Sequence, residues 1–236
     1  MRLKHITFTG IDARTDIKAL QEIQHQYPIA EFGVLTSYHW YENGNRYLDP
    51  QLLYNLQGCK LNLALHVCGS AAHDAAVGLW NKVRKHTLDY LWLFDRVQLN
   101  IANRTDNPYR LASSCNLKTE MIIQQHPDDT AIYENSKWMN SDGASVSMLL
   151  DASGGLGIDT PLVLYPSKGK IGYAGGINEN NVAAKLEYLL SNVHTGSFWI
   201  DMESGVRTDD WFDIGKVKHV LAICDEVIRD LHMEAE

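Results

Sequence analysis

Short runs of apolar residues recur along the chain and alternate with longer, more polar stretches. Eight of these runs have the length and composition of β-strands. They are Leu3–Thr9, Ala30–Thr36, Leu61–Cys68, Phe94–Asn100, Thr119–Gln125, Val146–Asp151, Lys170–Ala174 and Ser197–Met202. Eight strands separated by helical segments predict a closed parallel barrel of the (β/α)8 or TIM type, because an open flavodoxin-like sheet uses fewer strands.

Three helices are predicted from the spacing of apolar residues. The segments are Asp16–Gln26, Asn180–Leu190 and Ile214–Leu231. In the last two, apolar side chains recur at intervals of three and four residues, which is typical of a helix with one face on a core. The stretch from Ile101 to Leu117 is polar and rich in turn-forming residues, so we expect a surface loop there.

Alternation within the strands predicts which side chains face the inside of the barrel. In the third strand the leucines share one face, while His66 and Cys68 share the other. The same alternation turns Thr9 and Asn100 inward. We expect these side chains, with Asp151, near the C-terminal mouth of the barrel, where barrel enzymes carry out their chemistry.

The bulk properties narrow the class of protein. A length of 236 residues fits one TIM-barrel domain over residues 1–236. The net charge of −8, without a basic cluster, argues against a nucleic-acid partner. No apolar run reaches the roughly 18 residues of a membrane span, and the N-terminal apolar run is too short for a signal peptide. We therefore expect a cytoplasmic protein that needs no membrane.

The cysteines argue against a metal centre or a disulfide framework. Cys59, Cys68, Cys115 and Cys224 form no C-x-x-C pair. Candidate metal ligands such as His126 are scattered and lack a recognised ligand spacing. We expect reduced thiols, no metal and no organic cofactor.

Two glycine-containing segments near the C-terminus are candidate anion-binding loops. The first, GYAGGINENNV at 172–182, places Gly175 and Gly176 between a strand end and a helix start. The second, WIDMESGVRT, places Ser204 and Gly205 after the next strand. The loops after the last two strands of TIM barrels commonly bind phosphate through backbone N–H groups. The segments therefore predict a phosphate site, with plain turn geometry as the alternative.

These motifs, taken together with others in the same chain order, resemble those of phosphoribosylanthranilate isomerase, a tryptophan-pathway enzyme with a single TIM barrel. The segments that carry the resemblance are ITFTGID (6–12), FGVL (32–35), NGNRYLDP (43–50), DRVQLN (95–100), SMLLDASGGLG (147–157), AGGINENNV (174–182) and IDMESGV (200–206). The last two are the most specific.

The resemblance implies an Amadori rearrangement of an aminoaldose phosphate without a cofactor. That chemistry needs a general acid to open the ribose ring and a general base to remove the proton at C2. The family's acid ends the sixth strand, where this chain has Asp151; its base is a cysteine ending the first strand, where this chain has Thr9. The family's histidine after the fourth strand is replaced by Asn100, and the arginine of the second loop is retained as Arg46, which could also be a solvated loop residue.

The replacement at Thr9 leaves the base unassigned, because a hydroxyl is far too weak an acid to supply an alkoxide near neutral pH. Cys68, together with His66 on the inward face, could supply a relocated base, and Asp12 could reach in from the following loop. The alternatives are a buried free cysteine, a hydrogen-bonded interior histidine and a turn-capping aspartate. Asp151 has the corresponding alternative of a carboxylate that caps its own loop.

The sequence thus predicts an isomerase-like barrel that acts on a small phosphorylated metabolite, as a monomer or homodimer, with strict tryptophan-pathway activity in doubt. A divergent phosphosugar epimerase or aldolase is the first alternative. A Schiff-base aldolase is disfavoured because Lys170 begins its strand, far from the mouth. A catalytically inactive barrel that binds a phosphorylated ligand as a sensor, sponge or scaffold is the second, since one fold supports many functions.

Overall fold

Eight parallel strands form the centre of the molecule. A computed structural model describes residues 2–38, 45–47, 49–87, 90–101, 119–128, 146–165 and 169–233. The strands are β1 (Leu3–Thr9), β2 (Ala30–Thr36), β3 (Leu63–Cys68), β4 (Arg96–Asn100), β5 (Glu120–Gln125), β6 (Val146–Asp151), β7 (Lys170–Ala174) and β8 (Ser197–Met202). They pair in sequence order, and β8 pairs with β1, so the barrel is closed and the predicted fold class is confirmed.

Helices cover the outside of the strands. In the described part of the chain they are α1 (Ile17–Gln26), α2 (Pro50–Leu56), α3 (Gly69–Ala76), α4 (Trp80–His86), α5 (Val182–Asn192) and α6 (Ile214–Met233), with a 3₁₀ turn at Tyr90–Leu93. None of the described helices is long and apolar enough to cross a membrane. The segment 102–118, which includes Cys115, lies outside the described residues, as does part of the motif at 43–50.

Three strands and two helices begin later than the sequence predicts, β5 and α1 by a single residue. β3 begins at Leu63 because the Leu61 amide donates to Cys59 in a turn, and β4 begins at Arg96 because the Phe94 amide closes the 3₁₀ turn on Leu91. α5 begins at Val182 because residues 178–181 form a turn, in which the side-chain oxygens of Asn181 and Asn178 accept hydrogen bonds from backbone amides.

The core has an outer part and an inner part. Outward-facing strand residues such as Phe8 and Phe32 pack with the apolar faces of the helices into one large cluster. Inside the barrel, Ile122, Leu149 and Trp199 form a separate small cluster. A Cβ added to Gly172 would lie 2.2 Å from the Trp199 ring, so the indole occupies the space that this glycine leaves. The inner cluster closes the barrel below the mouth.

A hairpin that the sequence did not predict follows β8. Its strands are β9 (Arg207–Thr208) and β10 (Trp211–Phe212), and the turn between them holds Asp209 and Asp210 at φ 49° and 58°. Aspartate tolerates this left-handed region better than most residues. The hairpin occupies the stretch where TIM barrels commonly place a short extra helix beside the phosphate site.

Candidate functional site

A cavity of about 250 Å³ opens at the C-terminal ends of the strands. It is lined by His66 and by nine further residues named from the sequence, but not by Asp12; the nine are Thr9, Arg46, Cys68, Asn100, Asp151, Gly175, Gly176, Ser204 and Gly205. Alternation predicted that Thr9, Cys68 and Asn100 face this mouth, whereas Arg46 was named only from the family resemblance. The contacts of each side chain indicate what it can do there.

Asp151 organises the loop that follows β6. One carboxylate oxygen accepts hydrogen bonds from the amide and the hydroxyl of Ser153, at 3.0 and 2.7 Å. The other accepts from the Gly155 amide at 2.6 Å and from Gln124 Nε2 at 2.7 Å. Four donors from the protein thus contact the two carboxylate oxygens. These contacts favour the loop-capping interpretation of Asp151 over the role of general acid.

Asp201 on β8 is the strongest candidate for proton transfer, and the sequence analysis did not nominate it. Its side chain lines the cavity but is only 6% exposed, and Oδ1 accepts a hydrogen bond from the Thr9 hydroxyl at 2.8 Å. Burial raises the pKa of Asp201 to about 7 against the opposing effect of the Thr9 hydrogen bond, and the charges of Glu31 and Asp151 add to the rise. A carboxyl group with this pKa can both donate and accept a proton near neutral pH.

The two bases considered from the sequence are not supported. Burial raises the pKa of the Cys68 thiol to about 12, and the charge of Glu203 adds to the rise, so the thiolate that a base would need is scarce at neutral pH. Asp12 does not line the cavity. It is fully buried and accepts hydrogen bonds from the Phe212 amide at 2.7 Å and from Arg207 Nη2 at 3.1 Å. Asp12 therefore does not reach into the mouth but fits the alternative of a turn-capping aspartate. Its Oδ1 accepts from the Arg14 amide at 3.1 Å, and its Oδ2 fastens the β9–β10 hairpin to the loop after β1.

A chain of polar side chains joins β3 to β4 along the cavity wall. Gln98 Nε2 lies 3.1 Å from His66 Nδ1 and donates to Asn100 Oδ1 at 2.9 Å. Asn100 Nδ2 in turn donates to Cys68 Sγ at 3.4 Å. Burial lowers the pKa of His66 to about 4, so its imidazole is neutral at physiological pH.

Arg46 stands at the rim of the cavity between two carboxylates. Its Nη1 donates to Glu203 at 2.7 Å, and its Nη2 contacts Asp210 in the hairpin turn. Glu203 also lines the cavity. The charge that the resemblance offers to an anionic substrate is therefore already neutralised within the protein.

Three glycine-containing loops meet on one side of the cavity, after β6, β7 and β8. A Cβ at Gly176 would lie 2.3 Å from the Asp159 amide nitrogen, and one at Gly205 would lie 2.2 Å from the Ile177 carbonyl oxygen. An isolated parallel bridge pairs Asn178 with Gly205. Close loop-to-loop packing thus accounts for these glycines without a ligand, although their backbone also lines the cavity.

The lining carries few positive charges. Arg46 is the one cationic side chain among the described cavity residues, against Asp151, Asp201 and Glu203. Lys185 lies close to the β6 and β7 loops, but its Nζ donates to the carbonyls of Thr160 and Gly175 and pairs with Asp159 at 2.8 Å. An anion in this cavity would depend on backbone N–H groups. In the part of the chain that the structure describes, no cluster of three His, Cys, Asp or Glu side chains could hold a metal ion.

Comparisons with known proteins support the fold and go no further. No protein-family model and no curated protein matches the chain. Among solved structures, N-(5′-phosphoribosyl)anthranilate isomerase from Pyrococcus furiosus is similar at 14% sequence identity and a TM-score of 0.55, covering 94% of this chain and 98% of that one. The enzyme of the same name from Thermococcus kodakaraensis gives 13% and 0.52 with the same coverage. A mutant tryptophan synthase α-subunit from Pyrococcus furiosus gives 10% and 0.55, covering 96% of this chain and 98% of that one. The chain is a TIM-barrel protein similar in fold to these enzymes.

Proposed function

We propose that this barrel catalyses a cofactor-free isomerisation of a small phosphorylated sugar derivative, with Asp201 as the group that transfers protons. The observation that carries the proposal is the buried Asp201 carboxyl, which lines the cavity and accepts a hydrogen bond from Thr9 at 2.8 Å. The substrate class rests on the sequence resemblance to phosphoribosylanthranilate isomerase and on the loops at Gly175 and Ser204.

A single carboxyl group can serve both halves of such a reaction. In its protonated form Asp201 gives its proton to the ring oxygen as the ribose opens, which leaves a carboxylate. The carboxylate then removes the proton from C2, and the protonated form is restored, so no net proton is consumed. A pKa of about 7 populates both forms near neutral pH, which is the condition for general acid–base catalysis.

In this account Thr9 is a positioning residue. Its hydroxyl fixes the orientation of Asp201 and lowers the pKa of the carboxyl. Because Asp201 is the base in this account, the reaction does not need the cysteine that the family has at the position of Thr9. A Cβ at Gly33 would lie 2.6 Å from Thr9 Oγ1, so the absence of a side chain at Gly33 gives the threonine its space.

Proton exchange with solvent tests the proposal without assuming a product. N-(5′-phosphoribosyl)anthranilate, prepared in situ, and ribose 5-phosphate are incubated with the protein in D₂O. NMR follows the loss of the C2 proton and the entry of deuterium at C1 of any product or at C2 of the recovered substrate. We expect exchange with the wild type and a loss of at least about 100-fold in Asp201→Asn, since general acid–base catalysis contributes factors of that size. Asp151→Asn is the matched carboxylate control. Exchange that survives Asp201→Asn would contradict the assignment.

A catalytically inactive binding barrel is the second candidate. It is favoured by the contacts of Asp151, whose two oxygens are fully used by Ser153, Gly155 and Gln124. This candidate predicts that sugar phosphates raise the melting temperature while no deuterium enters the ligand.

A further inference from the structure

Two polar atoms of residues on the cavity wall have no hydrogen-bond partner among the residues that the structure describes. His66 Nε2 and Gln98 Oε1 are both buried without a hydrogen bond, and each residue is only 2% exposed. His66 and Gln98 are neighbours in the register of β3 and β4, and both line the cavity. A buried polar atom without a partner costs free energy, so such a pair beside a cavity indicates a ligand or an ordered water.

The hydrogen-bond chain between these strands fixes which atom donates and which accepts. The Cys68 thiol donates to the His66 carbonyl, so its sulfur accepts from Asn100 Nδ2 and leaves Asn100 Oδ1 as an acceptor. Gln98 Nε2 donates one hydrogen to that oxygen and the other to His66 Nδ1. His66 Nδ1 is therefore an acceptor and, in the neutral ring, Nε2 carries the hydrogen. The two side chains therefore present one N–H donor, His66 Nε2, and one carbonyl acceptor, Gln98 Oε1.

The unpaired nitrogens of Arg96, deeper in the barrel, are a different case. The guanidinium carbon of Arg96 lies 4.1 Å from the centre of the Trp199 ring, and its Nε lies 3.5 Å from Glu120. Arg96 does not line the cavity, and its charge is balanced within the protein. The pair formed by His66 and Gln98 has neither compensation, and both residues line the cavity.

We propose that His66 Nε2 and Gln98 Oε1 form a subsite for a hydroxyl group of the ligand. A hydroxyl accepts from the imidazole and donates to the carboxamide at once, whereas a carboxylate or the dianion of a phosphate monoester can accept but has no hydrogen to donate to Gln98. An anion would also come close to the carboxylates of Asp201 and Glu203, which line the same cavity. The subsite therefore selects the neutral, hydroxyl-bearing half of the ligand.

This inference deepens the proposed function, on which it rests for the position of the ligand. It adds that the part of the ligand facing β3 and β4 is a polyol, with any phosphate held elsewhere. Binding measured without turnover keeps the two claims separate, because loss of catalysis in Asp201→Asn leaves the affinity readable.

Two substitutions of His66 isolate the donor. Asparagine places an oxygen near the position of Nδ1, so the Gln98 contact is kept and the Nε2 hydrogen is lost. Glutamine carries an amide nitrogen near the position of Nε2 and keeps the donor. The probes are D-ribose 5-phosphate, D-ribose and inorganic phosphate, titrated by calorimetry into the wild type, His66→Asn and His66→Gln.

We expect the affinity for D-ribose 5-phosphate to fall about fivefold in His66→Asn and to stay within about twofold in His66→Gln, as for the loss of one neutral hydrogen bond. Inorganic phosphate should bind all three proteins equally. Equal affinity of His66→Asn and the wild type for the sugar phosphate would mean that the pair binds only water, and this would overturn the inference. Failure of D-ribose 5-phosphate to bind, or a fall in phosphate affinity alone, would also overturn it.

The tautomer gives an independent readout on the protein without ligand. In ¹⁵N-labelled protein, the imidazole nitrogens of His66 should show a protonated Nε2 and an unprotonated Nδ1 near pH 7. A protonated Nδ1 would reverse the direction of the hydrogen bonds and refute the donor–acceptor pair. Addition of D-ribose 5-phosphate should shift the Nε2 resonance in the wild type.

Discussion

The interior of this barrel contains two layers of polar side chains that differ in how their buried charges are compensated. In the lower layer Arg96 donates to Glu31 at 2.8 Å, and Lys170 contacts Glu120. In the upper layer, at the mouth, Asp201 has no cationic partner in hydrogen-bond contact among the described residues. The lower layer pairs its buried carboxylates with cations, whereas at the mouth Asp201 is buried without such a partner and the His66–Gln98 pair lacks hydrogen bonds.

The pKa values follow the same division. Although burial acts to raise it, Arg96 and Lys170 hold the pKa of Glu120 below its usual value. Burial and the same two cations lower the pKa of His5 to about 4, which keeps the imidazole neutral beside them. At the mouth, burial raises the pKa of Asp201 to about 7. Paired charges are typical of structural positions, and a carboxyl poised near neutral pH is typical of catalytic ones.

The largest effect is expected from breaking the lower layer. Arg96→Met removes the cation that contacts both Glu31 and Glu120 and leaves two buried carboxylates with less compensation. The free energy of unfolding should fall by about 3–5 kcal/mol, as for other buried pairs that lose one partner. Urea denaturation measures it.

Arg229→Met is the matched control for that experiment. Arg229 pairs with Asp225 on the exposed surface of α6, so its loss should cost less than about 1 kcal/mol. If Arg96→Met proved no more destabilising than Arg229→Met, the lower layer would have no special structural role.

The upper layer should respond to the removal of charge in the opposite direction. The folded-state pKa of Asp201 lies near 7, above its unfolded value near 3.8, so its contribution to stability is complete below pH 3.8 and is lost as the pH rises towards 7. Asp201→Asn removes this loss. The variant should be more stable than the wild type at pH 8, by at most roughly 4 kcal/mol, and nearly equal at pH 4.

Chemical unfolding at pH 4, 6 and 8 measures the difference, with Asp230→Asn at an exposed position of α6 as the control. If the difference in free energy of unfolding between the wild type and Asp201→Asn were the same at all three pH values, Asp201 would ionise normally. The contrast between the layers would then disappear.

A smaller effect should follow at Thr9, because its hydrogen bond lowers the pKa of Asp201. Thr9→Val keeps the shape and removes the donor, so the pKa of Asp201 should rise by about one unit, as for a hydrogen bond to a charged group. Thr9→Ser keeps the donor and should leave the pKa near 7. Carboxyl ¹³C NMR titration distinguishes the two, and equal pKa values in both variants would remove Thr9 from the account.

The smallest effect is expected at Cys68, whose thiol pKa is raised to about 12. Cys68→Ser should change the rate at which the substrate loses its C2 proton by less than about threefold. A loss comparable to that of Asp201→Asn would restore Cys68 as the base and contradict the present assignment.

The sequence predicted the barrel well because each strand is a bounded apolar run. Five of the eight predicted strands have the observed bounds, and alternation placed Thr9, His66 and Asn100 on the inner face. The shifted starts at Leu63 and Arg96 depend on single turn hydrogen bonds, which periodicity does not encode.

The chemistry of the site was harder to predict because it depends on contacts between distant parts of the chain. Asp201 lay within the quoted motif IDMESGV, but its importance comes from Thr9, 192 positions earlier. The alternation of Trp199 and Asp201 along β8 was the available signal. The role of Asp12 depends on Arg207, which lies 195 positions away in a hairpin that the pattern of apolar residues did not predict.

The central claim is that the carboxyl of Asp201 is poised to exchange a proton in the mouth of the barrel. Carboxyl ¹³C NMR of the wild type, with Asp201→Asn to assign the resonance, measures its titration directly. The account predicts a midpoint near pH 7. A midpoint near 4, the ordinary value for an aspartate, would contradict it.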